Sequence, residues 1–248
     1  MRKTLTITDV TEMRDDEVCI AGIDGGGTCV RPVVPGGVRL HDLYNRSTAI
    51  VVPGRRVELE VFGAEIEPPH IEDARFFPSS TVDRGQCRPR EWEDVLAASC
   101  STDMASMFDG HLVEGRCVPP GSRTRSLGTI GNVEVEYVSV SDDPDRRRYR
   151  MSFVDGAKSR YLRVPVNDLT FRAAMSRSLD AIGDPVEVEE YLMEALRAVE
   201  RIYLRIGLTR PWGEPEMCWT QVTGMYTFPD YLDGKTFADF IQPPSAYD

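Results

Sequence analysis

Lysine is almost missing from this sequence: only Lys3, Lys158 and Lys235 stand among the 29 basic residues of the 248-residue chain. Histidine is equally scarce, with His41, His70 and His111 alone, so a metal site at any one of them would need further ligands. No Cys-x-x-Cys pair joins Cys19, Cys29, Cys87, Cys100, Cys117 and Cys218, which argues against a zinc ribbon or a redox dithiol. No apolar run approaches the roughly 20 residues of a membrane span. The opening Met1-Arg2-Lys3-Thr4-Leu5-Thr6-Ile7-Thr8 passes straight into alternation, without the apolar stretch of a signal peptide. The expectation is a cytoplasmic chain with reduced thiols and no membrane contact. Positive charge is short as well. With 40 acidic residues the formal net charge is −11, which excludes a basic nucleic-acid coat. Gly-x-Ser-x-Gly does not occur, and Asp24-Gly25-Gly26-Gly27-Thr28 lacks the Gly-Lys-Ser/Thr of a phosphate loop and reads as a hairpin turn.

What is present is an ordinary globular composition, 41% hydrophobic and 28% charged, enough for one large or two small domains. Short alternating segments dominate: Thr4 to Thr8, Glu17 to Ile23, Val57 to Phe62, Val133 to Val138, Tyr149 to Phe153 and Tyr161 to Val166. Residues 89–108 and 171–182 have helical spacing. Residues 187–206 make the strongest helical pattern, with Leu192, Ala195, Leu196, Val199, Ile202, Tyr203 and Ile206 on one face. Cys100 falls on the apolar face of the helix begun at Pro89 and reads as a packed thiol. Pro119-Pro120-Gly121-Ser122 is the best boundary. The expected architecture is therefore mainly β with helical additions, in two domains, 1–120 and 121–248. Each is a small β-barrel, the second carrying a helical insert around 171–206.

A faint repeat supports two similar halves. Asp9-Val10-Thr11 matches Asp168-Leu169-Thr170, and Arg31-Pro32 matches Arg210-Pro211. Charge is uneven: residues 121–163 hold nine basic and six acidic side chains. Arg123, Arg125, Arg146, Arg147, Arg148, Arg150, Arg160 and Arg163 alternate there with Tyr137, Tyr149 and Tyr161, flanked by Asp142, Asp143 and Asp145. Guanidinium groups beside rings suit single-stranded nucleic acid, cations taking the backbone and rings the bases. Pro68-Pro69-His70-Ile71-Glu72-Asp73 is the densest polar cluster. If extended, it turns His70 and Glu72 to one side and Asp73 to the other.

Taken in order, Leu5-Thr6-Ile7-Thr8-Asp9-Val10-Thr11, Val18-Cys19-Ile20-Ala21-Gly22, Cys29-Val30-Arg31-Pro32-Val33, Pro68 to Asp73, Ser126-Leu127-Gly128-Thr129-Ile130, Val166 to Arg172 and Trp219 to Phe228 resemble the dual OB domain family of bacterial proteins. The resemblance covers nearly the whole chain. It implies two OB-like barrels in tandem and a nucleic-acid-binding role tied to anti-phage conflict systems. It brings no catalytic residue, metal or cofactor.

The resulting expectation is a non-catalytic module binding single-stranded nucleic acid or a nucleotide, with a protein partner in a multi-component system. Arg31, Arg123, Arg125, Arg172 and Arg210 would meet phosphate, with Tyr149 and His70 on the same face. Asp9, Asp168, Glu72 and Asp73 would orient them or cap turns. Two alternatives stand beside it: a protein-binding adaptor, and a metal-assisted nuclease using His70, Glu72 and Asp73.

Overall fold

A computed structural model describes residues 1–14, 16–63, 66–141, 143 and 147–243. Asp142, Asp145 and Arg146 of the arginine run lie outside the described residues. The first half contains β1 (Arg2–Glu12), β2 (Glu17–Asp24), β3 (Cys29–Val33), the two-residue strands β4 (Val38–Arg39), β5 (Tyr44–Asn45) and β6 (Thr48–Ala49), then β7 (Arg55–Phe62), β8 (Asp73–Phe76) and β9 (Val82–Gln86). There follow α1 (Pro89–Ala98), β10 (Cys100–Ser101), α2 (Met104–Met107), β11 (Cys117–Val118), β12 (Leu127–Ile130), β13 (Glu134–Val140), β14 (Tyr149–Val154) and β15 (Arg160–Pro165). The chain continues through α3 (Leu169–Ile182), α4 (Pro185–Arg197), β16 (Arg201–Leu208) and β17 (Cys218–Phe228).

β1, β2, β3, β8 and β7 pair in that order, and β7 pairs back to β1, closing a five-stranded barrel. The β3–β8 pairing is parallel and the others are antiparallel. Alternation sends Leu5 and Ile7 inward. A bulge at Thr8 then shifts the register, so that Val10 joins the core and Asp9 turns out of the barrel. In the second half β13, β14 and β15 form a meander, Val166 bridges Val222 of β17 in parallel, and β17 pairs β16. That path follows the same order as the first barrel. It stays open, because β16 pairs with β12 on its free side and α4 packs over β13. The chain is thus mainly β, with a closed barrel and a half-barrel compatible with OB-type architecture.

Several expectations are corrected. Residues 187–206 are not one helix: α4 ends at Arg197 and β16 begins at Arg201. From Arg201 onward Ile202, Leu204, Ile206 and Leu208 recur at period two, the spacing of a strand, and β16 is buried on both faces. The single helix read over 89–108 is α1, the short strand β10 and α2, so Cys100 sits on a strand. Residues 100–118 do not belong with the first domain. β10 pairs with β12, β11 pairs with β17, and Met104, Met107, Phe108 and Val118 enter the second core. The change of core therefore falls near α1 and not at residue 120. The Asp9/Asp168 match joins unlike positions as well, Asp9 lying in β1 and Asp168 capping α3 after β15.

α3 joins the two cores. Leu169 and Ala173 pack in the first, Phe171, Ala174, Met175 and Leu179 in the second, and Phe237 from the last described segment fills the first. Asp168 accepts from Thr170 N and Phe171 N to start α3, and Gly183 at φ +79° ends it in a left-handed turn.

Candidate functional site: the seam and its cleft

The outer face of β2 and β3 is covered by the second half, and the contact is polar. Arg205 of β16 and Asp9 are each 1% exposed. Arg205 Nε donates to Asp9 Oδ2 at 2.9 Å with Nη2 in ion-pair contact at 2.8 Å, Nη1 donates to Thr129 Oγ1 at 2.9 Å, and Nη2 donates to Cys29 Sγ at 3.5 Å. Thr223 Oγ1 donates to the other Asp9 oxygen at 2.5 Å, and Thr8 Oγ1 donates to Oδ2 at 2.7 Å. This pairing holds Arg205 protonated well above its ordinary range despite burial. Asp168, buried without a cation and facing the charge of Asp9, is pushed up to about 7 chiefly by burial, against three backbone N–H donors.

The loop before β8 makes the second set of links. Glu72 accepts from Ser126 N and Ser126 Oγ at 2.8 Å each and from Leu127 N at 3.2 Å. Asp73 receives Arg31 Nε on one oxygen and Arg210 Nη2 on the other, both at 2.5 Å. Burial works against ionisation, yet the two arginines hold its carboxyl below the usual range. His70 is 1% exposed and its ring nitrogens make no well-formed hydrogen bond, the Thr209 backbone lying only close enough to favour the protonated ring slightly; Arg31 Nη2 is likewise buried and unpartnered. Burial, then Arg31 and Arg210, push the imidazole down to about 3, so it is neutral at ordinary pH.

Above these links opens a cleft of about 530 Å³. Thr28, Cys29, Glu72, Ser101, Arg125 and Arg205 supply much of its polar lining. A second hollow of about 450 Å³ shares Cys100 and Ser101 with it and runs to Asn132, Lys158 and Tyr203. Burial pushes the Cys29 and Cys100 thiols up to about 11, so neither is a ready nucleophile. The glycine turn at the rim is closed on itself, Asp24 Oδ1 accepting from Gly26 N and Thr28 N.

The structure divides the residues singled out in the sequence. Arg31, His70, Glu72, Asp73, Arg125 and Arg210 gather along the seam, and Arg123 precedes them on the loop before β12. Leu208 N donates to Ser126 O, which sets Arg125 level with the start of the Arg210 loop. Arg123, Arg125 and Arg210 are exposed, whereas Arg31 is 5% exposed and engaged with Asp73. Arg172 lies elsewhere: it pairs with Glu12 and stacks 5.1 Å above the Tyr149 ring. Tyr149 is a core residue whose hydroxyl meets Ser176, so it offers no ring face to a base; Tyr161 is buried too. The His70-Glu72-Asp73 cluster does not form a ligand set, since both carboxylates are engaged by different partners. His70 shares its surroundings with Asp73, while Glu72 reaches across to β12, the reverse of the extended-chain grouping. Among the described residues no three His, Cys, Asp or Glu side chains are grouped to hold a metal, and no helix is long and apolar enough to cross a membrane.

Sequence reasoning missed Arg205, Thr129 and Thr223. The period-two pattern of β16 puts Arg205 on the face opposite Ile202, Leu204 and Ile206, and nothing in the alternation marks that face as buried. No protein-family model matches the chain, and no curated protein or solved structure matches it either.

Proposed function

We propose that the chain is a non-catalytic module that binds single-stranded nucleic acid in the seam cleft. It is a tandem of OB-type barrels, as the resemblance to the dual OB domain family implies. The observation that carries the reading is Arg125, exposed on the wall of a cleft whose carboxylate Glu72 is already engaged, with Arg123 exposed two residues before it and Arg210 exposed but paired with Asp73. The cleft volume is that of a typical ligand pocket. Its continuation toward Lys158 favours a short strand over a lone nucleotide. The matching strand order of the two halves supports the tandem, with α3 and α4 occupying the insert position. Membership of a bacterial anti-phage system, in the cytoplasm and beside a protein partner, comes from the resemblance alone.

Fluorescence anisotropy with a labelled oligothymidylate of about 16 nucleotides tests the reading. Binding is expected at about 50 mM salt and should weaken steeply by about 200 mM. Arg125→Glu should weaken it at least about tenfold. No binding at low salt would end the proposal.

A second reading, a protein-binding adaptor, draws on a different surface. Phe62 and Phe77 stack 4.8 Å apart on the first barrel, 40% and 53% exposed, with Ile66 also exposed.

A further inference from the structure

The meander β13–β14–β15 is distorted twice at one level. The β13–β14 register shifts between Val135 and Tyr137, and the β14–β15 register shifts between Met151 and Phe153. Both bulges meet at Ser152, which pairs with Tyr137 on one side and accepts a hydrogen bond from Arg163 N at 3.0 Å on the other. The second bulge turns two successive side chains outward, Leu162 and Arg163, and holds Arg163 at φ +54°, a conformation that costs a non-glycine residue energy. Strained backbone that aims side chains at solvent calls for a reason beyond packing.

The side chains so displayed form a coherent set. Tyr137 is 48% exposed, yet its hydroxyl is tied to Glu189 Oε2 at 2.6 Å, so the ring is fixed at its far edge with a face open. Leu162 is 58% exposed. Arg150 Nη1 donates to Arg163 O at 3.2 Å, which sets its guanidinium beside Arg163, and Arg163 acts electrostatically on the Tyr137 hydroxyl. Arg148 is exposed at the start of β14. Among the described residues, Glu136 pairs with Arg160 and Glu189 binds Tyr137 and Val140 N, so neither carboxylate is left to meet Arg150 or Arg163. Lys158, at the end of the groove leading from the seam, stands in the turn between β14 and β15.

We infer that the outer face of β13–β15 is a second contact surface for single-stranded nucleic acid, with a base stacked on Tyr137 against Leu162 and phosphates met by Arg150 and Arg163. This rests on the reading of the seam cleft as a single-strand site, and extends the bound strand past Lys158 onto the sheet.

Arg163→Gly provides the sharpest test, because glycine takes the left-handed conformation without penalty. The expected result is an unchanged or raised melting temperature together with about fivefold weaker binding of the oligothymidylate and a shallower salt dependence. Tyr137→Ala should weaken binding about tenfold, while Tyr137→Phe, which keeps the ring, should bind as the unaltered protein does. If Arg163→Gly and Tyr137→Ala, both folded, bind normally while Arg125→Glu does not, the sheet surface is overturned and the cleft stands. If the sheet variants weaken binding and Arg125→Glu does not, the sheet surface stands and the cleft reading falls. A chain that binds no oligonucleotide at low salt overturns both.

Discussion

The outer face of β1–β3 and the outer face of β13–β15 occupy the same place in the strand order of their two halves, and they have opposite fates. On the first, Arg31 meets Asp73 and Asp9 meets Arg205 under the cover of the other half. On the second, Arg148, Arg150 and Arg163 stand at the surface, and the Glu136 carboxylate nearby is taken by Arg160. Arginine content therefore says little by itself. What matters is whether a carboxylate is placed to meet each guanidinium, and how much water is removed from the pair.

The largest effect expected from breaking that contrast is at Arg205. Arg205→Met leaves Asp9 charged and buried, which should cost about 3–5 kcal/mol in urea unfolding. The pair Asp9→Leu with Arg205→Met should regain most of it. A single-variant loss below about 1 kcal/mol would mean that the seam is hydrated.

The next effect is in pH dependence. His70 has a folded pKa of about 3, below its ordinary 6.5, so the unfolded chain binds a proton that the native state does not. Its contribution is fully present above 6.5 and is lost as pH falls toward 3. Asp168 has a folded pKa of about 7, above its ordinary 3.8, so the native state binds the extra proton and stability is gained as pH falls. Between pH 6.5 and 5 each gradient amounts to about 2 kcal/mol, and the two oppose each other. Unfolding of the unaltered protein should be nearly flat in that window. His70→Leu should become more stable on acidification, and Asp168→Asn less stable. Parallel curves for all three proteins would refute both assignments.

Glu72→Gln weakens three charge-assisted acceptor contacts and is expected to cost about 1–3 kcal/mol in the same assay. The smallest effect lies on the open face. Arg160→Ala removes a surface pair with Glu136 and should change stability by less than about 0.5 kcal/mol. A large loss there would erase the distinction between the two faces.

Much of the strand framework was legible, because β1, β2, β7, β13 and β15 alternate cleanly enough to be read by eye. The gathering at the seam was partly legible too, since Arg31, Arg210 and the Pro68–Asp73 segment are polar groups in apolar surroundings. Three things were not. The bulge at Thr8 turns Asp9 away from the core by one added residue, and no side chain announces it. β16 carries enough apolar residues to satisfy a helical face as well as a strand, and the helical reading gave Arg205 no place in a buried contact. Tyr149 and Tyr161 interleave with arginines in sequence, but alternation points them into the core while Tyr137 faces out. Burial of both faces hides the period that would have separated these cases.

Because α3 and Phe237 contribute to the first core, the amino-terminal barrel has no complete interior until residues far along the chain have been made. During synthesis the strands from β1 to β8 can pair early, but Leu169, Ala173 and finally Phe237 must arrive before their apolar centre is sealed. The many contacts of large sequence separation predict slow folding and a single cooperative unfolding event. An isolated 1–120 fragment would display an open apolar interior and be prone to association. The barrel and the half-barrel are separable on paper and joined in the making.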